Sequence, residues 1–132
     1  MRPRGMPTPL ADLTEKELQS QLFGTKVGIA KMMGWACYHT LKSKGSEAGF
    51  PDWTLARDRV IFVELKTEKN TLSVAQVEWI RRLAMANAEV YVVRPRHLEA
   101  ISWVLRKRYR PVAGENPHGD VLLEELDTVL GV

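Results

Sequence analysis

The chemically expressive residues of this chain sit close together: Pro51-Asp52, then eleven residues, then Glu64-Leu65-Lys66. Two carboxylates and an ammonium are the side-chain types that hydrolysis of a phosphodiester asks for. That reaction needs a hard cation to polarise the phosphoryl oxygen and to activate water. Mg2+ is held by oxygen ligands, commonly one or two carboxylates plus waters and phosphate. Asp52 and Glu64 are the candidate metal ligands, and the backbone carbonyl of Leu65 is a third. Lys66 is placed to orient the attacking water or to stabilise developing negative charge. Strand geometry allows the convergence, because residues two apart share a face. Glu64 and Lys66 then point one way and Leu65 the other. A charged glutamate inside an apolar strand is costly unless something neutralises it, and a metal with a neighbouring lysine does so. Taken alone, Glu-x-Lys is far more often the pattern of an ion pair on an exposed edge strand. Pro-Asp at hairpin distance, in a basic protein, weighs against that reading.

The elements that must position these groups are legible in the apolar spacing. Val60 to Leu65 is a near-continuous apolar run broken by one acid, the signature of a central buried strand. Trp53 to Ala56 reads as a short strand, and Arg57-Asp58-Arg59 as the tight turn joining the two in a hairpin. Asp52 then lies just before one strand and Glu64 near the end of the other. Upstream, Thr14 opens a helix with Leu18, Leu22, Ile29 and Met32/Met33 at helical spacing, ended by Gly34. Thr14 and Glu17 form a capping-box pattern. Trp35 to Thr40 is expected as a strand and Leu41 to Gly49 as a polar loop. Ser73 opens a helix to about Ala86, with Val77, Ile80, Leu83 and Ala84 as its stripe. Val90 to Val93 is a buried-type strand, and Arg96 to about Arg108 a further helix. The expected order is α-β-β-β-α-β-α, an α/β sandwich with a mixed central sheet flanked by helices. Residues 1–12 are expected to be a flexible N-terminal segment and 13–110 the folded domain. Residues 111–132 are an acidic tail, with a short helix over Val121 to Leu130 for packing or dimerisation.

A chain of 132 residues fits one domain able to bury a core without staples. From Pro111 onward there are five acids and no Lys or Arg, so residues 1–110 hold all 19 basic residues against 11 acids, a net of +8. A basic body with an acidic tail suggests an anionic partner, nucleic acid first, with a solvated lysine-rich surface as the plainer alternative. One cysteine, Cys37, forms no internal disulfide and reads as a buried structural thiol. No apolar stretch approaches the roughly 20 residues needed to span a bilayer. A cytoplasmic setting, in a bacterial or phage-infected cell, is expected. One cysteine and scattered histidines give no zinc pattern, and Gly24-Thr25-Lys26 lacks the spacing of a phosphate-binding loop.

The pattern resembles the PD-(D/E)XK nuclease superfamily and, more closely, its VRR-NUC family of virus-type replication-repair nucleases. The similar stretches are Gly49-Phe50-Pro51-Asp52, Val60-Ile61-Phe62-Val63-Glu64-Leu65-Lys66, Leu72-Ser73-Val74-Ala75-Gln76-Val77-Glu78-Trp79 and Glu89-Val90-Tyr91-Val92. With the first helix, the likeness spans roughly residues 13 to 105. It implies a restriction-endonuclease-like sandwich and Mg2+-dependent cleavage of DNA, with Mn2+ as a substitute. Stand-alone members resemble Holliday junction resolvases, which implies a homodimer acting on branched or nicked duplex. The alternatives are a catalytically silent DNA-binding module on the same fold, or a restriction-type endonuclease.

The family pattern also includes an acid in the first helix. Glu15 lies three before Leu18 and seven before Leu22, so it shares their inward face, whereas Glu17 has a capping role open to it. Glu15 is therefore the favoured site acid. Gln76 matches a family glutamine but also completes a capping box with Ser73. His39 reads either as a phosphate contact or as a packed residue. Lys42, Lys44 and Ser46, in the loop before Asp52, are candidate contacts to the DNA backbone, and Arg94, Arg96 and Arg106 to Arg110 extend the basic surface. Trp35, Trp53, Trp79 and Trp103 fall on apolar faces and read as core.

Overall fold

The computed structural model describes residues 8–25, 27–41, 47–112, 114–119 and 125. A four-stranded sheet runs β1 (Ala36–His39), β2 (Trp53–Ala56), β3 (Val60–Leu65) and β4 (Glu89–Val93), in that spatial order. The first three strands form an antiparallel meander, and β4 joins β3 in parallel after a helical crossover. Helices α1 (Glu15–Phe23), α2 (Ile29–Met32), α3 (Val74–Met85) and α4 (Leu98–Arg106) cover the sheet. The expected mixed sheet flanked by helices is therefore present.

Alternation along the strands builds two cores. Leu55, Ile61, Val63, Leu65, Tyr91 and Val93 face Leu18, Leu22, Ala30, Ile101 and Leu105 from α1, α2 and α4. Phe62, Val90 and Val92 face the other way, onto Val77, Ile80, Leu83 and Ala84 of α3. Both faces of the β3–β4 pair are thus covered, as a parallel pair requires. The tryptophans divide. Trp35 and Trp53 are buried, while Trp79 is half-buried against Phe50 and Trp103 beside the core.

Three expectations need correction. The first helix does not run unbroken from Thr14 to Gly34. It ends at Phe23 and resumes at Ile29, because the chain folds back on itself between Gly24 and Gly28. A Cβ on Gly28 would meet the Gly24 backbone nitrogen at 2.4 Å, so only glycine permits this approach. The last helix starts at Leu98 after a 3-10 turn over Pro95–His97, and it stops at Arg106. Cys37 is half-buried, its thiol directed at the Trp35 carbonyl. Within the N-terminal segment, Leu10–Asp12 forms a 3-10 turn and Leu13 is buried. The helix expected over Val121 to Leu130 lies outside the described residues, apart from Glu125.

Both capping boxes form. Thr14 accepts from the Glu17 N–H at 3.1 Å while Glu17 accepts from the Thr14 N–H at 3.2 Å. Ser73 and Gln76 do the same at 3.1 and 2.9 Å. Each box satisfies donors that a helix start would otherwise leave open.

Candidate active site

Antiparallel register brings Asp52 to Glu64. The β2–β3 pairing ends at Trp53 and Val63, so one further step sets Asp52 opposite Glu64. The Asp52 carbonyl accepts from Thr40 N–H at 2.7 Å, toward β1. Asp52 and Glu64 therefore occupy a non-hydrogen-bonded position, where Cα atoms approach to about 4.5 Å and side chains on one face lie closest. A second step sets Pro51 opposite Leu65. Proline has no N–H to occupy the Leu65 carbonyl, and the Leu65 N–H turns to Asp52 Oδ2 at 3.3 Å.

The loop before Asp52 is pinned from the α3 side. Gly49 has φ +95°, and a Cβ there would meet the Ala75 backbone carbon at 2.4 Å. Phe50 packs edge-on against Phe62 and Trp79, with ring centroids 5.8 and 5.1 Å away. Glycine and phenylalanine thus hold Pro51-Asp52 against the first turns of α3 and the face of β3.

Glu15 completes the cluster. One carboxylate oxygen from each of Glu15, Asp52 and Glu64 lies within 4.8 Å of the others. Glu17 is turned to its cap instead, accepting from both the N–H and the hydroxyl of Thr14. Gln76 serves two ends at once. Its side-chain oxygen caps Ser73, and its Nε2 donates to Glu64 Oε2 at 3.2 Å. Lys66 continues the pairing with β4 through its N–H to Val93 O at 3.0 Å, and its charge acts favourably on Glu64.

Glu64 is 1 % exposed. Burial, and then the hydrogen bond and charge of Asp52, push its carboxyl up to about 9, with Lys66 pulling against them. Its Oε1 has no hydrogen-bond partner among the described residues. A buried carboxylate oxygen lacking a donor, beside two other carboxylates, is a strained arrangement for the protein alone. It fits an oxygen-seeking divalent cation, which would take three anionic ligands and relieve the repulsion.

His39, expected as a site residue, falls elsewhere. His39 stacks on Trp53 at 4.5 Å, on the sheet face opposite Asp52 and Glu64. Lys42, Lys44 and Ser46 lie outside the described residues. Thr40 gained no role from its sequence. It stands beside Asp52 across the β1–β2 ladder, and its buried Oγ1 has no partner among the described residues. Only the strand register reveals that position.

A family model for the VRR-NUC domain matches residues 2–97 of the chain. No curated protein and no solved structure matches it. No helix among the described residues is long and apolar enough to cross a membrane.

Proposed function

The chain belongs to the VRR-NUC family, and from that premise we propose that it is a metal-dependent endonuclease that hydrolyses phosphodiester bonds in branched or nicked duplex DNA. Membership in the family supports a nuclease domain of the PD-(D/E)XK type and implies DNA as substrate and a divalent metal as cofactor. The observation that carries the finer reading is the Glu15–Asp52–Glu64 cluster, in which one carboxylate oxygen from each residue lies within 4.8 Å of the others and the buried Glu64 Oε1 has no hydrogen-bond partner among the described residues.

Mg2+, or Mn2+ in its place, would supply charge neutralisation at the phosphoryl oxygen and a more acidic water. Asp52 and Glu64 would hold the ion directly, with the Leu65 carbonyl as a neutral third ligand. Glu15, on the most exposed of the three carboxylates, binds through water or orients Lys66. Lys66 holds its ammonium where negative charge develops on the phosphate. Gln76 positions Glu64: its amide restrains Oε2 and so fixes the direction of Oε1. Selectivity for DNA structure fits the small domain, which has little surface for base readout, and the basic body over residues 1–110. A homodimer would supply two sites for paired cuts in a junction.

The test is cleavage of four-way junction, flap, nicked and linear duplexes with and without Mg2+, by the wild type and Asp52→Ala. The wild type cuts branched or nicked substrates only with metal, while Asp52→Ala binds them and leaves them intact. Equal cutting by the two proteins removes the reading. Binding without cutting by both identifies a silent DNA-binding module.

A further inference from the structure

A second charged site lies at the same end of the sheet as the carboxylates. Lys66 follows β3 directly and Arg94 follows β4 directly, and the pairing of Lys66 with Val93 ties the two exits together. The Arg94 side chain is only 11 % exposed. Its Nη1 donates to the Thr67 and Asn70 carbonyls at 2.7 and 2.6 Å, so it also shapes the loop that leaves Lys66. Its backbone N–H donates to His97 Nδ1 at 2.9 Å, which holds the turn into α4. Arg96 is anchored from another side, with Nη1 and its backbone N–H both 2.8 Å from the Glu68 carboxylate.

Both guanidinium groups then converge on a single atom. Arg94 Nε and Arg96 Nη2 each lie 2.7 Å from Glu125 Oε1. Two pre-positioned arginines donating to one anionic oxygen is the arrangement that receives a phosphate oxygen. The oxygen present belongs instead to an acid 31 residues beyond Arg94, in the region that carries five acids and no Lys or Arg. Glu125 is 15 % exposed and Arg94 11 %, so their contact is largely shielded from solvent and is stronger than a surface ion pair. His97, buried between these groups, adds no charge near neutral pH: burial, then the charge of Arg96, hold it down at about 4.

We propose that Arg94 and Arg96 form a phosphate subsite for a backbone position next to the cleaved bond, and that the Glu125 carboxylate fills this subsite in the DNA-free protein. The inference rests on the nuclease reading for its substrate. DNA binding then requires one phosphate oxygen to displace one carboxylate oxygen from the same two arginines. The tail acid acts as an internal competitor, favouring strands held firmly by the rest of the basic surface over weak, non-specific ones.

The experiment is binding of a short fluorescent duplex, followed by anisotropy over a KCl series without divalent ion, so that no cutting intervenes. Glu125→Gln is expected to tighten binding about three- to tenfold and to steepen the log–log salt slope by about 1. Glu115→Gln removes the same charge from an exposed tail position and is expected to leave the slope unchanged. Adding Arg96→Ala to Glu125→Gln abolishes the gain. Wild-type affinity and slope in Glu125→Gln, or a gain that survives Arg96→Ala, overturns the proposal. Should Glu125→Gln melt below the working temperature, Arg96→Ala alone decides, since that side chain is 48 % exposed. It must weaken binding of the duplex, and wild-type affinity in Arg96→Ala overturns the subsite. If the wild type fails to cut with Mg2+ while Glu125→Gln still steepens the slope, the nuclease reading has failed and the subsite stands. Metal-dependent cutting with an unresponsive slope means the reverse.

Discussion

Two glutamates are buried on adjacent strands of this sheet, and they have opposite environments. Glu89, at the start of β4, is 5 % exposed and fully answered. Arg59 donates to it from Nε at 2.7 Å and Nη2 at 3.3 Å, and the Tyr91 hydroxyl donates at 2.7 Å. The same Arg59 reaches the Lys107 and Val104 carbonyls at the end of α4, so this cluster ties the hairpin to the last helix. Glu64, near the end of β3, receives one amide hydrogen bond and faces two further acids. One buried carboxylate is balanced by the fold itself. The other is held in a state the fold alone leaves unbalanced, which is the mark of a site built for a ligand.

Substitution should separate the two most sharply. Glu64→Gln is expected to reduce Mg2+-dependent cleavage by at least ~10²-fold, beyond the 10–100-fold typical of groups one step removed from a metal. Its metal-free melting temperature should rise by about 2–8 °C, the shift given by ~1 kcal/mol in small domains. Glu89→Gln should do the converse. It strands Arg59, costs about 3–5 kcal/mol of stability, and leaves cleavage intact at temperatures where the protein stays folded. Denaturant melts and single-turnover cleavage check both, and a stabilised Glu89→Gln would erase the contrast.

Proton linkage gives a smaller, continuous version of the same comparison. Glu64 ordinarily titrates at 4.5 and is pushed up to about 9 in the fold. Between those values the folded protein holds a proton that the unfolded chain has lost, so metal-free stability falls as pH rises through that window. Metal binding needs the proton gone. Mg2+ should therefore stabilise more strongly at pH 8.5 than at pH 6, with proton release on binding. Melting temperatures over pH with EDTA or Mg2+ measure this, and parallel curves would speak against an ion at Glu64.

The smallest effect divides the two acids of α1. Glu17→Ala loses the capping box and about 0.3–1.5 kcal/mol, with cleavage unchanged below the melting point. Glu15→Ala should weaken cleavage at limiting Mg2+ without lowering stability. Activity and melting curves of the two variants measure the split, and an exchange of these phenotypes would reassign the first-helix acid.

Local rules made much of this molecule readable from its sequence. Val60–Leu65 is a buried strand because its apolar run tolerates one interruption, and the two capping boxes mark helix starts because serine and threonine answer open N–H groups within three residues. Period-two alternation likewise separated Glu64 and Lys66 from Leu65, and helix spacing separated Glu15 from Glu17. Each of these is settled within one element or across one tight turn. What the tertiary structure decided is everything that depends on two distant segments meeting. The break at Gly24–Gly28 is a close approach of backbone to backbone that composition does not reveal. Thr40 stands beside Asp52, and His39 turns to Trp53 on the other face, only because the β1–β2 register fell where it did. Glu125 between Arg94 and Arg96 joins positions about thirty residues apart. Side-chain periodicity says which face of an element is apolar. Register and long-range closure, whose energies come from contacts between segments, say which polar groups share a site.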